Sequence, residues 1–509
     1  MELAIRNSSP WMRIVWAIPG FVVLAILPLP IIAGIAALGL AGIIFLWKRQ
    51  RLTAFWDEVK PIWPLLVILT LFYFSPYTNV APSMRVSGAH FSIYTYFAGV
   101  ISVIGLVLVA ALAITIMRSM KKGKINLALG TRHGFGFFLF LILVTFVIGL
   151  LHAEGGLLHY GLTEVKRPII AFIPMLYMFA VFMIVVNLVQ TRELLSQLLA
   201  WIDRLTILLI CYGIFRLIMI LAYGLDTFWM FGLPIVLYDE MAMFYVPIFT
   251  IVARWTSGEK TNRWQAVQFG IMVLFILCST RRYNYLLLVM GLFLVAFVVY
   301  LNRLVSLQRL LRLAARGTFV LGIAASLLLV IAPKFSQGIS MAFESLDMSS
   351  KVGQKHGGEI RSAVIGNILA NLERRPYAYF AGFGLGTMWQ AIEYQPMDSL
   401  TKLLRRNDGW YTQFSVPYVS LLFRLGLLGT VALFGWLFCY LYGRARAIRI
   451  AKPHLQYYGI AMIAYVALII PALIDSLNPM GWILCGLYMG ILEKLAANHP
   501  ALASMEDES

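Results

Sequence analysis

Two adjacent arginines, Arg281 and Arg282, have the side chains of this sequence best suited to recognise an anion. They interrupt an apolar run from residue 266 to residue 301, which puts them on a tight turn between two predicted membrane spans. A planar guanidinium group matches phosphate oxygens bidentately and keeps its charge at physiological pH. We therefore expect the pair to bind a diphosphate at the bilayer surface. The alternative is a salt bridge to an acidic residue of the polar segment that follows later in the chain.

Arg216 and Arg424 lie inside predicted spans, and Arg361 lies in the polar segment. A charge at the centre of a membrane helix costs about 2.5–3.5 kcal/mol on insertion scales, so each span arginine should meet a partner unless it snorkels to the surface. The predicted diphosphate ligands are Arg281, Arg282, Arg216, Arg361 and Arg424.

A catalytic acid or base is expected from the same polar segment, where the candidates are Asp408, His356 and Glu359. Asp408 is the favoured residue, because the sequence RRNDGW brings it to the mouth of the next predicted span. It would activate or orient an acceptor hydroxyl. Simple solvation is the alternative for each of these groups.

The sequence HAEGGLLHY places His152, Glu154 and His159 close together. A metal site there would need further ligands that the sequence does not supply. A hydrogen-bonded loop is therefore the favoured interpretation, and no metal or other cofactor is predicted.

These groups must be positioned by the segment from Lys334 to Trp410, which is too polar to lie in a bilayer. Residues 359–376 have apolar residues at the i, i+4 spacing of a one-sided helix, and Pro376 predicts its end. The three glycines of the GFGLG sequence, Gly382–Gly386, predict a turn whose backbone approaches something closely. No βαβ pattern surrounds this turn, so it is not a nucleotide-binding motif.

The composition identifies a polytopic membrane protein with an all-α fold. Hydrophobic residues make up 61% of the 509 positions, charged residues 13%, and the mean hydropathy is +0.83. The net charge of +18 comes from short loops between apolar runs, which is the pattern of cytoplasmic loops and does not indicate nucleic acid. All four cysteines fall in apolar runs and are expected to be small buried hydrophobic residues.

A spanning helix needs about 20 mostly apolar residues. On that criterion we predict about 14 spans, or 12 if some segments do not cross, and residues 13–47 can be two helices or one. The predicted spans are 13–29, 31–47, 61–77, 93–117, 134–152, 168–189, 205–224, 240–254, 265–280, 284–302, 317–333, 412–441, 457–475 and 479–494.

Lysine and arginine residues concentrate in the short loops on one side of this arrangement, which predicts cytoplasmic termini and a periplasmic long loop. The predicted organisation is an N-terminal transmembrane bundle (1–264), transmembrane helices with the Arg281–Arg282 turn (265–333), a large periplasmic loop containing an amphipathic helix (334–411), C-terminal transmembrane helices (412–494) and a disordered tail (495–509).

The order of these features resembles the O-antigen ligase and O-antigen polymerase family of bacterial membrane glycosyltransferases. In that family a Ser-Arg turn opens a span, and here the sequence is Ser279-Thr-Arg281. A long outer loop follows with an arginine-started helix, a proline and a G-x-G-x-G turn, here Arg361–Pro376 and Gly382–Gly386. The next span carries G-L-L-G, here Gly426–Gly429, and the resemblance covers roughly residues 265–445.

The resemblance implies transfer of a glycan from a polyprenyl diphosphate to an acceptor hydroxyl at the outer face of the inner membrane, without a nucleotide sugar or an obligatory metal. Relatives often have a His-Asn or Asp-containing pair before the GLLG span, whereas this chain reads Ser415-Val-Pro-Tyr418 there. The expected partners are the lipid-linked oligosaccharide, membrane lipids and other polysaccharide assembly and export proteins.

Three functions stay open from the sequence. The first is a polymerase that joins lipid-linked repeat units of an O-antigen or exopolysaccharide. The second is a ligase that attaches a finished glycan to lipid A core or to protein. The third, from another class, is a flippase or transporter of lipid-linked oligosaccharide, which should carry its charges midway along its helices.

Overall fold

The structure is a computed structural model, and it describes residues 60–74, 96–97, 101–121, 123, 125–126, 134–160, 163–223, 229–230, 233–234, 236–237, 239–259, 262–278, 282–312, 340–341, 344, 359–392, 410–411, 417–449, 451–474 and 479–497. Helices dominate this part of the chain. Seven of them are long and apolar enough to cross a membrane, so the chain is a multi-pass helical membrane protein.

Thirteen α-helices are described. Their bounds are α1 Trp63–Phe74, α2 Val103–Lys121, α3 Phe135–His152, α4 Lys166–Leu188, α5 Arg192–Tyr223, α6 Tyr245–Ser257, α7 Arg263–Cys278, α8 Arg282–Leu301, α9 Glu359–Glu373, α10 Ala378–Ala381, α11 Pro417–Ile448, α12 Pro453–Leu473 and α13 Pro479–Ala497. A short 3₁₀ helix, Asp239–Met243, precedes α6. The seven candidate spans lie in α2, α3, α4, α5, α8, α11 and α12.

Three antiparallel pairs of two-residue strands lie in the connections. Strand β1 (Tyr96–Phe97) pairs with β2 (Ile101–Ser102), and β3 (Trp229–Met230) pairs with β4 (Leu233–Pro234). Strand β5 (Trp389–Gln390) pairs with β6 (Trp410–Tyr411), with Trp389 opposite Tyr411. The last pair brings residues 389–390 of the polar segment against its C-terminal end.

Helices α4, α12 and α13 form the centre of the bundle. Of the α12 span, 83% is buried, against 33% of the α2 span, so α12 is interior and α2 is peripheral. Helix α13 packs on α4 through Gly486 and Gly490, where a Cβ would press on the Met178 carbonyl and on Val185. This is the small-xxx-small packing by which membrane helices approach closely.

Contacts with the Gly382–Gly386 turn show which ends of α3, α4 and α11 meet. Helix α3 ends at His152 where α4 begins at Lys166, and α11 begins at this same end of the bundle. We call it the glycine-turn end, because the Gly382–Gly386 turn packs there.

Polar contacts tie the helices together at the opposite end. Arg444 Nη2 of α11 lies 3.1 Å from Glu493 Oε2 of α13. The Tyr458 hydroxyl of α12 donates a hydrogen bond to Asp203 of α5, and the Arg254 guanidinium of α6 lies 5.8 Å from the Tyr458 ring centre.

Most predicted spans coincide with a helix, and two predictions were wrong in part. The span predicted at 93–117 begins with the β1–β2 hairpin, because aromatic and β-branched residues before position 103 favour strands. The interval 190–204, predicted as a loop, belongs mostly to helix α5, which is continuous from Arg192. The spans predicted at 13–29, 31–47 and 317–333 lie outside the described residues.

The predicted burial of the cysteines is confirmed for Cys485 but wrong for Cys439, which lies on the exposed side of α11. Lipid is itself apolar, so a lipid-facing helix surface accepts a cysteine without burial in protein.

Candidate functional site

The predicted one-sided helix of the polar segment is confirmed as α9, which ends at Glu373, three residues before Pro376. Its buried face presents Val364, Ile368 and Leu372. The buried face also carries Asn367 and Asn371, whose amide oxygens accept from the backbone N–H groups of Ile392 (2.7 Å) and Gln390 (3.1 Å). These bonds hold α9 against strand β5, directly after the glycine turn.

The Gly382–Gly386 turn follows the short helix α10. All three of its glycines have positive φ, namely 73° at Gly382, 84° at Gly384 and 73° at Gly386. A Cβ would overlap the Arg424 carbonyl at Gly382, the Gly149 backbone at Gly384 and the Arg167–Pro168 backbone at Gly386. The predicted close approach of the turn is therefore confirmed, and it is made to three helices of the protein itself.

Helix α11 receives the turn at a kink. Gly426 has φ 63° and ψ −175° inside α11, so it interrupts the helix. Next to it, the carbonyls of Phe423 and Arg424 accept hydrogen bonds from the N–H groups of Phe383 (2.7 Å) and Gly384 (3.0 Å). The glycine at the start of GLLG therefore lets α11 bond to the backbone of the turn.

The turn reaches into the bundle below the end of α3. The Leu385 N–H donates to the Thr145 carbonyl at 3.1 Å, and Thr145 precedes the last residue of α3 by seven positions. At about 1.5 Å per residue, the turn lies about 10 Å below the helix end. Residues 382–388 are therefore packed between helices of the bundle, and the prediction that the polar segment lies outside the bilayer stays a prediction. Non-helical backbone is tolerated at membrane depth where protein buries it.

Arg424 supplies hydrogen bonds that make this burial possible. Its side chain is 3% exposed, and Nη1 donates to the carbonyls of Thr387 and Gly384, the latter at 3.4 Å. The guanidinium also lies 5.7 Å from the Phe423 ring centre. The sequence predicted that this charge should have a partner, and in the structure the partner is the glycine turn. Its predicted role as a diphosphate ligand stays a prediction.

A buried histidine lies beside the turn. His152 is 0% exposed, and its Nδ1 lies 2.9 Å from the Ile148 carbonyl while Nε2 lies 2.9 Å from the Tyr377 hydroxyl. A carbonyl can only accept, so in the neutral imidazole Nδ1 carries the proton and Nε2 accepts from Tyr377. His159 Nδ1 lies 3.3 Å from the Ala153 carbonyl, so the expected hydrogen-bonded loop is confirmed.

Basic side chains surround this pair. Arg374 and Arg375 are exposed where α9 ends, and Arg374 Nη1 donates to Gln390 Oε1 at 3.2 Å. Burial raises the pKa of the Tyr160 phenol, and the charges of Arg374 and Arg375 oppose that rise. Desolvation also raises the pKa of Tyr377, against the charge of Arg375. Both phenols therefore keep their protons at neutral pH.

Helix α4 adds further positive charge at its first turn. Lys166 pairs with Glu164 at 2.7 Å. The neighbouring Arg167 has a buried Nε with no hydrogen-bond partner among the described residues. A helix N-terminus with such an arginine favours an anion.

The predicted site residues are described to different extents. Arg216 is half-buried in α5, seven residues before that helix ends. Residues outside the described part of the chain are Asp408, His356 and Arg281, together with the side chains of Glu359, Arg282 and Arg361. The backbone of Arg282 begins α8, and Glu359 begins α9.

The sequence reasoning missed the contact between His152 and Tyr377, which are 225 positions apart. One signal was available, because a histidine at the end of an apolar span needs a polar partner. Within the described residues, no group of three or more His, Cys, Asp or Glu side chains could hold a metal ion. The side chains described at this end offer anion binding by arginine and a tyrosine–histidine hydrogen bond along which a proton can move.

No protein-family model matches the chain, and no curated protein matches it in sequence.

Proposed function

We propose that this chain is a membrane glycosyltransferase that transfers a glycan from a polyprenyl diphosphate to an acceptor sugar hydroxyl. Its product would be a lengthened polysaccharide, either an O-antigen or an exopolysaccharide. An O-antigen ligase that attaches the glycan to lipid A core or protein is the alternative with the same donor chemistry.

The observation that carries the proposal is the inserted glycine turn, held between α3, α4 and α11 at the end of the bundle where arginines gather. The basic residues described around the turn are Arg167, whose backbone contacts Gly386, and Arg374 and Arg375, whose charges act on Tyr160 beside Phe383. A diphosphate-linked lipid keeps its chain in the bilayer and its charge at the surface, so it suits a basic site at a helix-bundle end.

The arginines would stabilise the leaving group. As the bond from the anomeric carbon to the diphosphate breaks, negative charge grows on the departing oxygen, and preorganised positive charge lowers the barrier. Arg281 with Arg282, helped by Arg216 and Arg361, would hold the diphosphate bidentately. The donor carries its own activation, so the reaction needs neither a nucleotide sugar nor a metal.

We further propose that the chain has about 14 spans and lies in the bacterial inner membrane, with the glycine-turn end and the loop 334–411 on the periplasmic face. The distribution of lysine and arginine among the short loops supports this orientation. Both termini would then be cytoplasmic.

The test is substitution of Arg281 in cells that make the polymer. We expect Arg281→Ala to abolish polymer, because the leaving group loses a positively charged partner. The amount of protein in the membrane should stay unchanged, because the fold should not depend on this side chain. Arg281→Lys should recover only part of the polymer, because an ammonium group keeps the charge but not the bidentate geometry.

Arg312→Ala is the matched control, because Arg312 is exposed just after α8 at the opposite end of the bundle. It should leave the polymer at its normal amount. Normal polymer from Arg281→Ala would contradict the proposed function.

A further inference from the structure

Tyr377 and His152 form a pair that is open to solvent at one end only. Tyr377 is 38% exposed, whereas His152 is fully buried beneath it. The imidazole Nδ1 is occupied by the Ile148 carbonyl, so Nε2 is the nitrogen that can take up a proton. Its hydrogen-bond partner there is the Tyr377 hydroxyl at 2.9 Å. A proton therefore reaches this histidine through the tyrosine.

The surroundings fix the geometry of the pair. The two rings lie nearly parallel, with centroids 5.8 Å apart and an interplanar angle of 10°. Phe383 of the glycine turn packs its edge against His152 at 5.3 Å. The base is thus positioned by the same turn that Arg424 holds in place.

We propose that Tyr377 and His152 act as the general base of the transfer reaction, with Tyr377 touching the acceptor hydroxyl and His152 taking the proton. This inference rests on the proposed function, and it assigns to this pair the role that the sequence suggested for Asp408. It also requires the acceptor sugar to bind over the exposed edge of Tyr377.

The proposed step balances as follows. The acceptor oxygen forms a bond to the anomeric carbon as the bond from that carbon to the diphosphate oxygen breaks, and the diphosphate leaves with the electron pair. The acceptor proton passes to the Tyr377 oxygen, while the proton of Tyr377 passes to His152 Nε2 and gives an imidazolium. When the product leaves, the imidazolium returns its proton to Tyr377, whose other proton goes to water.

Because His152 is buried, its imidazolium would lack hydration. Two nearby features then act on that charge in opposite directions. His152 is the last residue of α3, where the carbonyl end of the helix stabilises a positive charge. Arg375 is close enough to act by charge on His152 and on Tyr377. A diphosphate bound at Arg375 would neutralise that arginine, so the base would be strongest when the donor is present.

The test measures transfer by the purified full-length protein, with a polyprenyl-diphosphate oligosaccharide as donor and the free oligosaccharide as acceptor. Tyr377→Phe keeps the ring and removes the hydroxyl. We expect kcat to fall by at least about 100-fold, as for loss of a general base, with the donor KM changed less than twofold. A tyrosine that only supported the fold would change stability and leave kcat intact.

Tyr379→Phe is the matched control, since Tyr379 is half-buried two positions further on. It should keep wild-type kcat. His152→Gln should lose as much activity as Tyr377→Phe, and the double variant should lose no more than either, because the two groups act as a unit. If His152→Gln fails to fold, Tyr377→Phe still decides the question.

Equal kcat for wild type and Tyr377→Phe would overturn the relay and leave the proposed function standing. No product from the wild-type protein would overturn the proposed function and the relay with it.

Discussion

At the scale of single residues, Arg424 explains how a charge can lie within a spanning helix. Its cost of burial is offset by hydrogen bonds to two carbonyl groups, those of Thr387 and Gly384. The Gly384 carbonyl also accepts from the Thr387 hydroxyl at 3.2 Å, so the Thr387 carbonyl depends more on the arginine. The sequence alone assigns the Arg424 side chain to the diphosphate. In the structure this side chain donates hydrogen bonds to the glycine turn. Other polar side chains at this end, such as Arg375 and Tyr377, are exposed.

Replacement of Arg424 tests that role. We expect Arg424→Ala to lower the free energy of unfolding by about 1–3 kcal/mol, because the buried Thr387 carbonyl loses this donor whereas the Gly384 carbonyl keeps the Thr387 hydroxyl. Arg424→Lys should lie between alanine and wild type. The measurement is unfolding of the purified protein in detergent.

Arg446→Ala is the control, because Arg446 lies on the exposed face of the same helix, 5.3 Å from the Tyr442 ring. It should change stability by less than about 1 kcal/mol, as expected for an exposed charge. Equal stabilities of Arg424→Ala and wild type would refute the structural role.

At the scale of elements, the glycine turn joins segments that are far apart in the sequence. One backbone contact requires Gly149 of α3 and Gly384 of the turn, and a second requires Gly382 of the turn and Gly426 of α11. The glycines of GFGLG and the first glycine of GLLG thus share one physical reason, which is the close approach of backbones.

Gly384 and Gly155 offer a matched pair for this idea. Both have positive φ, 84° and 79°, but a Cβ at Gly155 meets nothing within 4 Å whereas one at Gly384 overlaps Gly149. Gly155→Ala should lower the free energy of unfolding by about 1–2 kcal/mol, which is the cost of placing a Cβ on a residue with left-handed backbone conformation. Gly384→Ala should lower the free energy of unfolding clearly more, because its Cβ would overlap the Gly149 backbone and the turn must move away. It should also abolish transfer.

Unfolding midpoints and polymer production of the two variants check this. Similar losses from both substitutions would show that conformational strain alone matters, and that the packing of the turn against α3 does not.

Much of the element structure could be predicted from the sequence. Apolar length located most described helices, and periodicity with Pro376 located α9. The hairpin before residue 103 was missed because average hydropathy does not distinguish strands from helices. The long continuous α5 was missed because average hydropathy does not show that a helix continues beyond its apolar part.

The candidate site was predictable only in part. The GFGLG glycines indicated a close approach, but its partners Gly149 and Arg167 are more than 200 positions away in the chain. The contact of His152 with Tyr377 was missed for the same reason, because it depends on how α3 and the polar segment pack. Residue types gave the chemistry, whereas tertiary packing decided which groups meet.

At the scale of the whole molecule, the two ends of the bundle differ in how their charged residues are arranged. The opposite end carries paired charges that tie helices together, such as Arg444 with Glu493. The glycine-turn end carries exposed arginines beside the buried His152 and an inserted turn. A flippase would need charges midway along its helices, whereas the exposed arginines here, Arg374 and Arg375, lie at the end of α9, and the buried charge of Arg424 is bound by the turn.

The central claim is that the glycine-turn end joins glycans carried on polyprenyl diphosphate. The most direct measurement gives the purified protein in liposomes a labelled polyprenyl-diphosphate oligosaccharide and follows the length of the glycan. We predict longer lipid-linked chains, formed equally well with a metal chelator present, whereas transfer only to a foreign acceptor would indicate the ligase. A glycan that keeps its length, whether it stays in place or crosses the bilayer, would contradict the claim.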